Sequence, residues 1–150
     1  MNGASISTSD YVVGSGSLQL LASSSQYLQV PPFRTDSNGL TFAGWFRSNS
    51  NPAYTRIFDF GNGASSDNIL VYVEQVNLLN LLVYIGGSSS FKQIGFSNEN
   101  VWQHFAWTLA PSGTWKVYVN GVSVGSVGGA GQEVYPATIT RSFNCTVPRN

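Results

Sequence analysis

Apolar and polar side chains alternate along segment after segment of this 150-residue chain, and no window holds a 3.6-residue apolar period for the length of a helix. Successive side chains of a strand point to opposite faces, so this patterning predicts half-buried strands. "LTFAGWFRS" (40–48) sets Leu40, Phe42, Gly44 and Phe46 against Thr41, Ala43, Trp45 and Arg47. "YTRIFDFG" (54–61) sets Tyr54, Arg56, Phe58 and Phe60 against Thr55, Ile57 and Asp59, so a direct Arg56–Asp59 pair needs a bend or bulge. "NILVYVEQ" and "NLLVYIGG" are apolar runs that read as a hairpin across Gln75–Asn77. "WQHFAWTLA" and "TWKVYVNG" are joined by the turn signal "PSG", and Asn120-Gly121 is a strong hairpin signal before "VSVGSV". With "SLQLL" and "QYLQV" near the start, the pattern predicts about ten or eleven strands at sandwich spacing, an all-β chain. Residues 1–14 read as a flexible polar arm, 15–143 as the sandwich, with "EVYPATITRSF" as its last strand, and 144–150 as a tail.

Composition narrows the partners. Hydrophobic residues make up 42%, aromatic residues 13% and charged residues only 9%, so Ser, Thr, Asn, Gln and Gly must cover the surface. Seven basic and seven acidic residues cancel, leaving no electrostatic footprint for nucleic acid. No stretch approaches the roughly 20 apolar residues of a membrane helix, and "MNGASISTSDYVVGSGS" lacks the basic and apolar regions of a signal peptide. Membrane insertion is not expected. Cys145 is the single cysteine, which excludes an internal disulfide; it lies in "NCT" (144–146), an N-glycosylation tripeptide.

The order of these pieces resembles the laminin-G-like, concanavalin A-like jelly-roll modules. "GSLQLLASSSQYLQVPPF", "LTFAGWFRS", "RIFDFGNGASSDNILVYV" and "WQHFAWTLAPSGTWKVYVNGVSVGS" carry the resemblance over residues 16–127, the last being the most specific. It implies an antiparallel β-sandwich of jelly-roll type, a fold that hosts lectins, receptors, glycanases and plain spacers. It also implies a closing strand of the form Gly-x-Ile-Asp-Glu-hydrophobic-Arg after the "YVNG" hairpin, which this sequence lacks. The expected consequence is a sheet edge covered by the N-terminal arm or open to a partner, and with it a homo-oligomer or larger assembly.

His104 is the only histidine. The resemblance implies a structural role for it, packed inside the sandwich. The residue inventory points the same way: a zinc-type site needs further His, Cys or carboxylate ligands, and a catalytic triad needs an activated Ser and an orienting acid. Glycan hydrolysis needs two carboxylates roughly 5–10 Å apart. Asp10, Asp36, Asp59, Asp67, Glu74, Glu99 and Glu133 are the whole acidic set, no two of them within five residues of each other. The Glu-x-Asp-x-x-Glu strand of laminarinases is absent. "DFG" (59–61) lacks every other kinase element. The chain is read as non-catalytic.

Sugar recognition takes an aromatic face for stacking and amides for hydroxyl groups. The loop "SNSNPAYT" (48–55) and its flanks offer Trp45, Asn49, Asn51 and Tyr54 as the carbohydrate-binding set. "DFGNGASSDN" offers Asp59, Asn62, Asp67 and Asn68 as hard oxygen ligands for one calcium, or simply as side chains that organise a Gly-rich turn. The expected function is a carbohydrate-binding or adhesive module of an extracellular or cell-surface protein, with a glycan or glycoprotein as partner. The alternative is a structural component of a virus coat or similar assembly, placed at the virion surface.

Overall fold

The computed structural model describes residues 3–34, 39–49, 54–61, 68–75, 78–85, 88–93, 98–127 and 140–146. They form twelve strands and one short 3-10 turn (Ala22–Ser24). β1 (Ser5–Ser7) and β2 (Ser17–Gln19) make a separate antiparallel hairpin. The other strands build two antiparallel sheets. The first has four strands in the order β11 (Val122–Val127), β10 (Trp115–Val119), β9 (Gln103–Leu109), β4 (Leu40–Phe46). The second has six, in the order β3 (Tyr27–Arg34), β12 (Thr140–Thr146), β5 (Thr55–Gly61), β6 (Ile69–Gln75), β7 (Leu78–Ile85), β8 (Ser88–Gln93).

The alternation read from sequence sets the core. On β9 the burial pattern strictly alternates, with Gln103, Phe105, Trp107 and Leu109 inward. Trp115 and Val117 of β10 join them, while Phe58, Phe60, Ile69, Val71, Val73, Leu79, Leu81 and Val83 line the facing sheet. Phe42 of β4 bridges the sheets: its ring lies 5.2 Å from Trp107, nearly parallel at 6°, and 4.3 Å from Phe60. Trp107 meets Trp115 edge-on at 6.0 Å. Offset and edge-on contacts are the geometries aromatic quadrupoles favour. Gln103, a polar side chain on the inward face of β9, is 2% exposed and its Oε1 accepts a hydrogen bond from Asn98 N at 2.8 Å.

Two turns follow their sequence signals. Asn120 (φ 50°) and Gly121 (φ 81°) both take the left-handed conformation that a two-residue hairpin requires. Asn120 is also bracketed by the neighbouring strand, its Oδ1 accepting from His104 N and its own N–H donating to His104 O, both at 2.8 Å. The "PSG" turn closes through Ala110 N to Thr114 O, with Gly113 at φ 80°. β6 and β7 pair antiparallel, as the two apolar runs predict, and residues 76–77 between them lie outside the described residues.

Several expectations change. The imidazole of His104 is not core filling: it lies on the outer face of the four-stranded sheet, half-buried, with its ring 5.3 Å from that of Trp45, edge-on. Both faces of this strand carry large aromatics, and the inward set is the one with Phe105 and Trp107. The "NCT" tripeptide is not in a tail. Asn144, Cys145 and Thr146 belong to β12 and pair with Gln29, Leu28 and Tyr27. β12 thereby fills the six-stranded sheet between β3 and β5, and the four-stranded sheet ends at β4. The N-terminal segment folds on itself as the β1–β2 hairpin, which spans the expected arm boundary at residue 14. It is tied to the body by Asp10, whose carboxylate pairs with Arg47 and accepts a hydrogen bond from Trp102 Nε1 at 2.9 Å. The Arg47 guanidinium in turn lies 5.8 Å from the Trp102 ring.

Candidate functional site

The outer face of the six-stranded sheet, away from the core, gathers polar and aromatic side chains. A register shift between Arg56 and Phe58 places one extra residue, Ile57, on β5 relative to β6. Arg56 and Asp59 would fall on opposite faces of a regular strand; the bulge puts them on the same one. Arg56 Nη1 lies 3.1 Å from Asp59 Oδ2. Across the ladder Arg56 pairs with Tyr72 and Asp59 with Leu70, and Tyr72 pairs in turn with Asn80 of β7. Over residues 69–73 of β6, Ile69, Val71 and Val73 belong to the core cluster, and the intervening Leu70 and Tyr72 face this side.

Burial is uneven across this face. Asp59, Asn68, Tyr72 and Asn80 are buried, whereas the Arg56 side chain is 43% exposed and Tyr54 is 60% exposed. The Tyr54 ring stacks on the Tyr72 ring at 6.0 Å and 21°. Tyr54 holds this position from a φ of 64°, left-handed and unfavourable for a side chain of its size. The result is a buried polar floor with an exposed aromatic ring and a half-exposed cation above it. Burial pushes the Asp59 carboxyl above its ordinary range, against the opposing pull of Arg56 and a hydrogen bond from Asn68. Asp59 Oδ1 has no hydrogen-bond partner among the described residues.

The carbohydrate set named from sequence is divided by this architecture. Tyr54 is on the outer face of the six-stranded sheet. Trp45 is 45% exposed on the outer face of the four-stranded sheet, paired with His104. The two faces point in opposite directions across the sandwich. Asn49 is exposed in the segment after β4, and Asn51 lies outside the described residues. Of the calcium set, Asp59 and Asn68 come together, while Asn62 and Asp67 lie outside the described residues. Arg56 already occupies one oxygen of Asp59, an arrangement that fits an internal ion pair better than a calcium ligand. Among the described residues no three His, Cys, Asp or Glu side chains cluster as a metal site. The Arg56–Asp59 pair that the sequence allows only with a bulge is present, and Tyr72 and Asn80 join it through the cross-strand register of β6 and β7, which has no local sequence signature.

A family model described as the concanavalin A-like lectin/glucanases superfamily, of laminin-G type, matches residues 22–145. Among curated protein sequences no match to this chain was found. Among solved structures, the binding domain of Paraclostridial Mosquitocidal Protein 1 is similar with a TM-score of 0.74 at 14% identity, over 99% of this chain and 38% of that one. Domains LG4-5 of the mouse laminin alpha1 chain are similar with a TM-score of 0.63 at 12% identity, over 79% of this chain and 31% of that one. The CBM40 of the Ruminococcus gnavus IT-sialidase, solved with alpha2,6 sialyllactose, has a TM-score of 0.58 at 10% identity, over 80% of this chain and 79% of that one. The chain thus spans about a third of the laminin and mosquitocidal-protein chains it matches. Identities this low carry the fold and no more, and nothing in these comparisons bears on a coat or other structural role. By the extent of the family match and the two-sheet architecture, the chain belongs to the concanavalin A-like lectin/glucanase superfamily.

Proposed function

We propose that the chain is a non-catalytic glycan-binding module and that it takes its ligand on the outer face of the six-stranded sheet, at Tyr54, Arg56 and the polar floor beneath them. The observation that carries this reading is the Tyr54–Tyr72 stack beside the Arg56–Asp59 pair. An exposed ring backed by a buried one presents a rigid apolar surface to the C–H face of a pyranose. Arg56 supplies N–H donors in a fixed fork, suited to hydroxyl or carboxylate oxygens of a sugar. Asp59, held by Arg56 and Asn68, keeps the guanidinium in place, so little side-chain freedom is lost on binding.

Two further points support the reading. The structural neighbours include a carbohydrate-binding module, the CBM40 bound to alpha2,6 sialyllactose. Among the described carboxylate side chains, Asp10 is engaged by Arg47 and Trp102, Asp59 by Arg56, and Glu99 is exposed in the turn before β9, which leaves Asp59 without the second carboxylate that glycan hydrolysis needs. The superfamily also contains glucanases, so the non-catalytic assignment rests on this chain's own acids. Glycan-array screening followed by titration calorimetry tests the reading. Binding of at least one glycan, weakened by Tyr54→Ala and by Arg56→Ala, is expected. Binding that neither substitution weakens would remove this face from the account.

A further inference from the structure

We infer that the free edge of β4 is a self-association surface, on which β4 of a second copy adds antiparallel to extend the four-stranded sheet to eight strands. The four sheet edges of the sandwich differ in how they are guarded. β3 carries Pro31 and Pro32, ends on Arg34 and has a register shift against β12. β8 reads SSSFKQ, polar but for one residue and bearing Lys92. β11 contains Gly125 and is interrupted by a bulge against β10. Proline, charge and bulges are the devices that keep edge strands from pairing with other chains.

β4 has none of them. Its seven residues, LTFAGWF, include no proline and no charge, and they pair with β9 in unbroken register from Leu40↔Leu109 to Phe46↔Gln103. On its other side no strand pairs with it among the described residues. A straight, uncharged edge of this length, roughly 24 Å at the usual rise per residue, is a ready template for strand addition.

The sequence of β4 is complementary to itself when two copies are related by a two-fold axis at Ala43. In that register Leu40 faces Phe46 of the second copy, Phe42 faces its Gly44, and Thr41 faces its Trp45. Like faces meet: the core-side residues stay on the core side and the outer-face residues stay outside. No charges oppose each other. The size match is favourable at the core side, because a Cβ built on Gly44 meets no described atom within 4 Å, which leaves room for the ring of Phe42 from the second copy. On the outer face the ring of Trp45, 45% exposed in the single chain, comes to lie over Thr41 of the second copy. Ala43, exposed and small, permits close approach on the axis. Such an interface is isologous and closes at two copies.

Sedimentation and light scattering across a concentration series test this without any glycan, so the result stands apart from the fate of the sugar-site reading. The wild-type mass is expected to rise from one chain toward two as concentration increases. Ala43→Lys puts like charges face to face on the axis and should weaken dimerisation by at least about tenfold. Ala43→Cys, oxidised mildly, should give a disulfide linking position 43 of one chain to position 43 of the other, identified by peptide mass mapping. A chain that stays monomeric throughout, a dimer unaffected by Ala43→Lys, or a disulfide joining position 43 to Cys145 instead would overturn the inference.

Discussion

Arg56 and Asp59 face the same side of β5, 3.1 Å apart, because Ile57 is the extra residue of a bulge between them. Alternation alone assigns them to opposite sides. The bulge therefore does two things at once: it keeps Phe58 and Phe60 in the core and delivers a guanidinium and a carboxylate to the outer face. Bulges commonly re-aim side chains at functional positions, and this one builds the floor of the proposed sugar site.

The pH dependence of stability should carry the mark of Asp59. Burial raises its folded-state pKa above the unfolded value, so the folded chain binds this proton more tightly. The stability linked to it is fully present below the unfolded pKa and is lost as pH rises through the folded pKa. Relative to Asp59→Asn, the wild type should therefore gain melting temperature as pH falls from neutral toward about 4, the ordinary range of an Asp carboxyl. Scanning calorimetry of both proteins across that range checks this. A difference that shrinks or stays level on acidification would mean that Arg56 outweighs burial. Since Arg56 also supplies the positive charge beside Asp59, added calcium or a chelator should leave the melting temperature unchanged.

His104 and Phe105 are neighbours in sequence with opposite energetic roles. His104→Ala is expected to cost less than about 1 kcal/mol, since the ring is half-buried on the outer face against Trp45. Phe105→Ala should cost about 3–5 kcal/mol, because the side chain is 4% exposed within the core cluster. Denaturant unfolding of the two variants decides the matter, and equal losses would put the imidazole back inside.

Asp10 should act as a latch for the N-terminal hairpin. It lies in the connection between β1 and β2, and Ser17 Oγ donates to its carbonyl at 2.6 Å while its carboxylate holds Arg47 and Trp102. Because these groups are partly exposed, Asp10→Ala should cost only about 1 kcal/mol globally. Its larger effect is local: amide hydrogen exchange of residues 5–19 should accelerate while β9 stays protected. Unchanged exchange in the hairpin would show that other contacts hold it.

Much of the architecture was legible from residue order, and the exceptions share a cause. Asn120-Gly121 marked its hairpin because the turn demands two left-handed residues. The alternation of β9 holds in period, while the inner placing of His104 implied by the resemblance does not, since Trp102 and His104 on one side look as apolar as Phe105 and Trp107 on the other. β8 escaped notice because SSSFKQ carries no alternating pattern; its pairing with β7 is a tertiary fact. The site was half visible. Tyr54 and Asp59 stand out by type and Arg56 can be joined to Asp59 on condition of a bulge, but the bulge itself and the place of Tyr72 beneath them come only from the cross-strand register. Asp10 reaches Trp102 across 92 positions, a separation no local pattern reports.

Titration calorimetry of the best glycan from an array, against wild type and Tyr54→Ala, tests the glycan-site proposal most directly. Binding to the wild type is expected, with a loss of about 1 kcal/mol, several-fold in affinity, when the ring above Tyr72 is removed. Equal affinity in the two proteins, or no glycan bound by the wild type, would contradict it.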